Sequence, residues 1–429
     1  RPPAFRAQSG ASRRVGKKRV RVVGLTGFGE QEWPSLNRTH AFYRRALETD
    51  FDLEQIDGEW PADEPDVLLN FSGNRGWDRP RDRDYPTLFG MHGGPILDHD
   101  FLWAQLGRLE TSDVLLVNCA SDERILRRFF EGNMPEIWCL PLPVDPTLFR
   151  PLQRDTCRRR LRCTADFAIG FVGRLVPQRN LHRFLQLLTW LQAQMRPQTV
   201  SGLVIGTFWT EYPVLNFGAS GYPDYIAALI DQLELDDEHV RYFHGDLSDE
   251  DLVACYGAMD VLIHPANSID ENFGYVPVEA MACGTPVVGA VYGGLKDTVL
   301  NGETGFLMPT WTTRSGIRMD LTSGSFAVRG LLTDSSLRSR MSAAAIRHTR
   351  DQYSFDAFAR QLRGAVEKAI ASKPAAEPVT LAARPDRPPT HGLLPAANRP
   401  WRLYEQAVSD YVSGPPPVAR PESSRSWRG

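Results

Sequence analysis

The chain has 429 residues, a formal net charge of −3 and 42% hydrophobic residues, enough length for two or three domains with large buried cores. The near-zero charge excludes a dedicated nucleic-acid binder, which is normally strongly basic. There is no apolar run of about 18 residues, so no spanning helix is expected and membrane contact is not foreseen.

Residues 1–18 carry six basic residues, no acidic partner and no apolar stretch of the kind a secretory leader needs. They read as a disordered basic arm. From 19 to 143, short apolar runs at 20–25, 67–71, 87–91, 114–118 and 137–140 alternate with helical patterns such as 38–48 and 123–130. Strand–helix alternation of this kind predicts a parallel sheet covered by helices, here a Rossmann-like domain. Pro141, Pro143, Pro146 and Pro151 followed by a charged run mark 144–164 as a linker.

The alternation restarts over 165–351. Strands are predicted at 168–172, 203–205, 240–243, 261–264, 286–289 and 305–308, with helices at 181–194, 222–232, 248–258 and 277–282. A helix follows over 352–373. Residues 374–421 hold eleven prolines, so 374–429 reads as a largely disordered Pro-rich tail. Within it 400–413 predicts one docked amphipathic helix, with Trp401, Leu403, Tyr404, Val408, Tyr411 and Val412 on its apolar face. The fold class expected is α/β, two doubly wound domains facing each other, with a ligand in the cleft between their strand ends.

The six cysteines form no C-x-x-C pair and have no histidines at zinc spacing. They predict reduced thiols of a cytoplasmic protein, with no metal site.

Two segments carry chemistry. In Glu271-Asn-Phe273-Gly274-Tyr275-Val276-Pro277-Val-Glu279, a loop runs into a helix expected to begin at Pro277, with Val276 as its cap. Amides near Phe273–Val276 would then form an anion site suited to a phosphate or diphosphate. Glu279, at the third helical position, could simply complement the helix dipole, but Val276 cannot complete a capping box. A carboxylate beside a phosphate site suits neutral hydroxyls better. Glu271 reaches the same cleft from the loop. In Phe171-Val-Gly173-Arg174-Leu-Val-Pro-Gln178-Arg179-Asn180, a strand ends at a glycine and two arginines follow, whose forks match phosphate oxygens. Alone these would be surface arginines; their place at a strand end of the same domain makes them candidates.

Glu271-x7-Glu279 followed by Ala-Met-Ala-Cys-Gly-Thr-Pro resembles the signature of family-4 retaining glycosyltransferases. The arginine segment resembles that family's V-G-R-L-x-x-x-K-G. Val144-Asp145, His264-Pro265, Gly293-Gly294 with Asn301–Phe306, and Phe89-Gly-Met-His92-Gly93-Gly94 resemble further parts in the same order. The resemblance implies the GT-B architecture, in which the C-terminal domain holds a nucleotide diphosphate sugar and the N-terminal domain the acceptor. It assigns Arg174 and Arg179 to the leaving diphosphate, Glu279 to the ribose, Glu271 to the donor sugar and His92 to the acceptor side of that sugar. Gly173, Phe273, Gly274, Tyr275, Val276, Gly293 and Gly294 join the donor site. Arg179 stands where the family has lysine, and Asn180 where it has glycine; asparagine tolerates the positive φ that such a turn requires. Lys296 and Asp297 also depart from the usual sequence.

The expectation is therefore a retaining, metal-independent transferase with no cofactor, moving a sugar from a nucleotide diphosphate sugar, UDP before GDP, to a small polar acceptor. Gly27, Gly29, Glu32, Trp33 and Asp98, with Glu30, Trp77, Asp78 and Asp100 nearby, are acceptor-side candidates. Their aromatic and acidic mixture suits an amino sugar or aminocyclitol. Rival readings are a lipid or polysaccharide acceptor, a same-fold epimerase and a non-catalytic sugar-nucleotide sensor. The pairs Asp82-x-Asp84 and Asp98-x-Asp100 resemble the D-x-D metal motif of another transferase fold, but lie in the wrong half for the diphosphate.

Overall fold

The computed structural model describes residues 17–23, 34–56, 63–71, 84–95, 102, 104–212, 217–218, 220–267, 271–313, 316–382 and 412. Two six-stranded parallel sheets organise them.

The first sheet contains β1 (Lys18–Val23), β2 (Phe51–Gln55), β3 (Val67–Asn70), β4 (Thr87–Gly90), β5 (Val114–Val117) and β6 (Glu136–Cys139), in the order β2-β1-β3-β4-β5-β6. Helix α1 (Pro34–Leu47) links β1 to β2, and α2 (Ala120–Arg127) links β5 to β6. Every residue of β3, β4 and β5 is buried, which is why these strands read as unbroken apolar runs. The edge strand β2, FDLEQ, buries only its first residue and does not stand out in the sequence.

A segment expected to be a linker follows. It is partly an ordered anchor: Val144 and Phe149 are buried, and 154–160 form helix α3 (Arg154–Arg160). Its charged run has a target. Arg158 and Arg154 lie 2.5 and 3.1 Å from the carboxylate of buried Asp260, and Arg338 lies 3.6 Å away.

The second sheet contains β7 (Phe167–Val172), β8 (Val200–Ile205), β11 (Val240–Phe243), β12 (Val261–His264), β13 (Val287–Ala290) and β14 (Gly305–Met308). Between β8 and β11 lies a two-stranded pair, β9 (Glu211–Tyr212) and β10 (Phe217–Gly218). The sheet order is β11-β8-β7-β12-β13-β14. Around it lie α4 (Leu181–Gln194), α5 (Tyr222–Gln232), α6 (Asp249–Ala258), α7 (Tyr275–Ala282) and α8 (Leu295–Thr298). A hairpin, β15 (Thr310–Thr313) with β16 (Gly316–Met319), and two helices, α9 (Leu321–Thr333) and α10 (Ser335–Gln352), extend the second half beyond the predicted elements.

The order matters for function. The chain fills one side of the second sheet from β7 outward, then returns to place β12 on the other side. The loops after β7 and β12 therefore diverge and open a crevice at the strand C-termini, the usual ligand position in doubly wound sheets. The arginine and double-glutamate segments are those two loops. In the first sheet the corresponding reversal lies between β1 and β3.

The last helix, α11 (Phe355–Ser372), returns to the first half, where Phe358 meets Tyr43 at 5.3 Å between ring centroids. The tail expectation needs correcting at its start. Residues 376–382 pair with the first half: the Thr111 amide donates to the Glu377 carbonyl and the Glu131 amide to the Thr380 carbonyl, each at 2.9 Å. Leu381 packs on the cluster formed by Leu102, Leu106, Phe129 and Phe130. Of the helix expected at 400–413, only Val412 is described, and it packs on the same cluster. The expected basic arm falls outside the described residues, apart from Lys17 and Lys18, the latter opening β1.

Candidate active site

The loop after β7 begins at Gly173, whose φ of +143° favours glycine. A single turn, Pro177–Arg179, follows, and Asn180 then adopts φ 61°, ψ 40°, so asparagine supplies the left-handed turn expected of it. Its amide nitrogen donates to the Pro265 carbonyl at 2.9 Å and to Asn267 Oδ1 at 3.1 Å. The Asn267 amide donates back to the Gln178 carbonyl at 3.1 Å. One side chain thus sets the turn and stitches the arginine loop to the end of β12.

Arg179 pairs with Glu271, which is 3% exposed. His264, the last residue of β12, places Nε2 3.5 Å from Glu271 Oε1. Burial, helped by the nearby Arg179 cation, lowers the His264 pKa to about 3, so the ring stays neutral at neutral pH. The Arg174 guanidinium stands 5.4 Å from the Trp209 ring centroid.

Helix α7 begins at Tyr275, not Pro277. Gly274, with φ 81°, turns the chain into the helix, and a Cβ there would come 2.8 Å from Glu271 Oε1. Pro277 is tolerated at the third helical position because no amide of the first turn has an intrahelical acceptor. Glu279 is consequently the fifth residue, outside capping reach of the helix start. It is 3% exposed and accepts from Tyr256 Oη at 2.9 Å and from Arg38 of α1. Burial raises its pKa, and Arg38 opposes that rise. Beside this pair Thr39 and Tyr275 share a hydroxyl–hydroxyl hydrogen bond of 2.8 Å. Phe273 is buried edge-on against Tyr275 and Tyr353.

Gly293 and Gly294 have a packing task. A Cβ on Gly293 would lie 1.8 Å from the Glu271 carbonyl oxygen, and one on Gly294 2.0 Å from that of Asn272. The Gly294 amide donates to the Glu271 carbonyl at 3.1 Å. The glycine pair thereby lets the loop before α8 press directly on the double-glutamate loop.

His92 follows β4 as expected. Its Nδ1 lies 3.1 Å from Asn118 Oδ1, and its ring packs on Phe71 and Tyr43. Burial lowers its pKa to about 4. Asn272, next to Glu271, approaches the Met91 carbonyl and Asn118 Oδ1, each at 3.4 Å, so the double-glutamate loop and the His92 turn meet. Asp297 makes a further bridge between the halves, accepting from the Ala120 amide at the start of α2 at 2.7 Å.

The acceptor-side candidates Gly27, Gly29, Glu32, Trp33 and Asp98, with Glu30, Trp77, Asp78 and Asp100, lie outside the described residues. So does Asp82; Asp84 is exposed, 3.6 Å from Lys373. Among the described residues no three His, Cys, Asp or Glu gather as a metal site, and no helix is long and apolar enough to cross a membrane. The six cysteines are unpaired, five of them buried. Sequence reasoning missed Arg38, Tyr256 and Trp209, and gave His264 no role. No local pattern marks Arg38, because its partner lies 241 residues away.

Residues 154–317 match the profile of the family described as glycosyl transferases group 1. A D-inositol 3-phosphate glycosyltransferase of Stackebrandtia nassauensis is 30% identical over 264 residues, 60% of this chain and 55% of that protein. One from a Nocardioides species is 30% identical over 262 residues, 59% of this chain and 53% of that protein. The chain thus spans about half the length of the curated relatives it matches. Sucrose-phosphate synthase from Thermosynechococcus elongatus superposes with a TM-score of 0.62 at 18% identity, covering 83% of this chain and all of that one. Anabaena HepE, crystallised with UDP and glucose, superposes with a TM-score of 0.60 at 15% identity, covering 82% of this chain and 99% of that one. Residues 154–317 are a glycosyl transferases group 1 region, as the likeness to family-4 glycosyltransferases implied, and the chain that carries them has the GT-B fold.

Proposed function

We propose that the chain transfers a sugar, with retention of anomeric configuration, from a nucleotide diphosphate sugar to a hydroxyl of a small polar acceptor. The observation that carries this reading is the pairing of loops at the second sheet's crevice. One brings Arg174 and Arg179; the other brings Glu271, the N-terminal turn of α7 and Glu279.

As the glycosidic bond breaks, negative charge builds on the departing diphosphate. The Arg174 and Arg179 forks and the first-turn amides of α7 are fixed in advance, so they stabilise that charge without reorganising, and no metal is required. Glu279 accepts the ribose hydroxyls. Glu271 holds hydroxyls of the transferred sugar, and the acceptor attacks from the face the diphosphate leaves. HepE, with its bound UDP, makes UDP the first nucleotide to test. The D-inositol 3-phosphate enzymes among the relatives support a cyclitol acceptor.

The test is transfer from UDP-sugars to inositol phosphates and aminocyclitols in EDTA, with the product anomer read by NMR. Retained configuration and metal-free turnover are expected. A strict need for a divalent ion, an inverted product or donor epimerisation without acceptor would each overturn the reading. In the same assay Arg174→Ala should lower kcat/KM by about 2–4 kcal/mol of transition-state stabilisation.

A further inference from the structure

A buried carboxylate without a charged partner tends to take up a proton, and then offers a ligand's hydroxyls a poorer acceptor. Glu279 is 3% exposed, yet the donor reading asks it to accept hydrogen bonds. Two side chains hold it. Tyr256, on α6 of the same half, donates to Oε2. Arg38, on α1 of the other half, donates to Oε1. Arg38 is itself guided: its guanidinium stands 5.4 Å from the Phe149 ring centroid and 6.0 Å from that of Tyr275, and 3.9 Å from Asp249.

We propose that Arg38 is a positioning residue for donor binding, which reaches from the opposite half of the molecule to hold Glu279 as an oriented anion ready for the ribose hydroxyls. The proposal rests on the donor reading above. Each carboxylate oxygen accepts about two hydrogen bonds. With Arg38 on one oxygen and Tyr256 on the other, one acceptor position remains on each, matching the vicinal hydroxyl pair of a ribose. Arg38 and nucleotide therefore bind Glu279 together and do not compete. The nucleotide site of the second half is complete only while the first half is docked on it.

The charge balance gives a specific signature. The groups facing Glu279 are Arg38 from α1, Asp249 and Tyr256 from α6, and Tyr275 and Cys283 from α7 and its end. Burial and the Asp249 carboxylate push its pKa up; Arg38 is the cation that opposes them. The two phenols and the thiol are themselves pushed upward by burial, away from neutral pH. Without Arg38, protonation of Glu279 moves toward neutral pH, and nucleotide binding must weaken as pH falls.

UDP binding to the full chain is measured by calorimetry in EDTA from pH 5.5 to 9 for wild type, Arg38→Met and Arg38→Lys. In Arg38→Met, affinity should drop roughly 10- to 100-fold at pH 7, the range for a lost charged hydrogen bond, and recover as pH rises. Arg38→Lys, which keeps the charge, should restore most of it. Arg38→Gln serves if Arg38→Met does not fold. Unchanged or tighter binding would make Arg38 a bystander or a blocking contact, and a loss independent of pH would reduce it to packing; either overturns the proposal. Thermal unfolding without nucleotide separates this from failure of the donor reading. Arg38→Met should lose more stability than wild type as pH rises through the raised Glu279 pKa, and Glu279→Gln in that background should remove the difference. If wild type binds no nucleotide but this slope appears, the donor reading fails and the counter-ion role stands. If the slope is missing, the counter-ion role fails.

Discussion

Glu271 and Glu279 are eight residues apart, equally buried, and each is held by an arginine, yet the two arginines come from different places. Arg179 reaches Glu271 from the neighbouring loop of the same sheet. Arg38 reaches Glu279 from the other half of the chain. The Glu271 end is assembled by the fold of the second sheet alone, because β7 and β12 are neighbours and Asn180 ties their loops together. The Glu279 end depends on how the two halves dock. The same residue type in one short segment thus serves two kinds of site, one local and one shared.

The largest expected effect breaks the local end. Arg179 is 12% exposed and Glu271 3%, so Arg179→Ala leaves a buried carboxylate without its cation. Such a loss costs about 3–5 kcal/mol, and adding Glu271→Gln should recover much of it. Arg38 is 29% exposed, so water can partly replace it, and Arg38→Ala should cost less. Urea unfolding of the three variants and the wild type checks the ranking. Equal losses for the two arginines would erase the distinction between the ends.

Nucleotide binding should divide the glutamates in the opposite sense. Free UDP carries a ribose but no transferred sugar. Glu279→Gln should weaken UDP binding by about 10- to 100-fold, as expected when hydrogen bonds to a charged acceptor are lost. Glu271→Gln should leave UDP affinity within about threefold and mainly slow transfer, because its partner is absent from the free nucleotide. Dissociation constants and transfer rates, with circular dichroism to confirm folding, decide it. Equal loss of UDP affinity in both variants would contradict the assignment.

Much of the second sheet and its two loops was legible in the sequence, and the boundary has a physical cause. Buried parallel strands such as β12 and β13 are unbroken apolar runs, and they lie within about a residue of their predicted bounds. The edge strand β2 half faces water and left no such run. The loops carrying Arg174, Arg179, Glu271 and Glu279 were legible because glycine, proline and charge cluster at strand ends. The start of α7 was misplaced by two residues, since Pro277 suits any first-turn position and Gly274 decided the matter. Arg38 left no signal at all. It sits in an ordinary amphipathic helix, and only docking of the halves gives it a partner.

Acid should move the two ends in opposite directions. His264 has a folded pKa near 3, below the ordinary 6.5, so the unfolded chain binds more protons in that window. Its contribution to stability is therefore lost as pH falls from about 6.5 toward 3. Glu279 has a folded pKa above its ordinary value, so the folded chain binds more protons just above that value. Its contribution rises as pH falls through the raised pKa. His264→Asn should flatten the acid-side loss of stability, and Glu279→Gln should steepen it. Denaturation midpoints at half-unit pH steps read both slopes. Slopes of the same sign would mean that the Glu279 pKa is not raised.

The smallest expected effect tests docking away from the carboxylates. Asp297, on α8 of the second half, accepts from the Ala120 amide at the start of α2 in the first half. Cys119, the residue before α2, makes no side-chain cap of its own, so Asp297 supplies the acceptor across the boundary. Losing a helix cap costs about 1 kcal/mol, and Asp297→Ala should lower stability by that amount. Burial raises the Asp297 pKa, and the Ala120 amide opposes that rise. Asp297→Asn keeps an oxygen acceptor and should therefore retain most of the stability. Equal losses in the two variants would show that the charge, and its attraction to the α2 dipole, holds this part of the boundary.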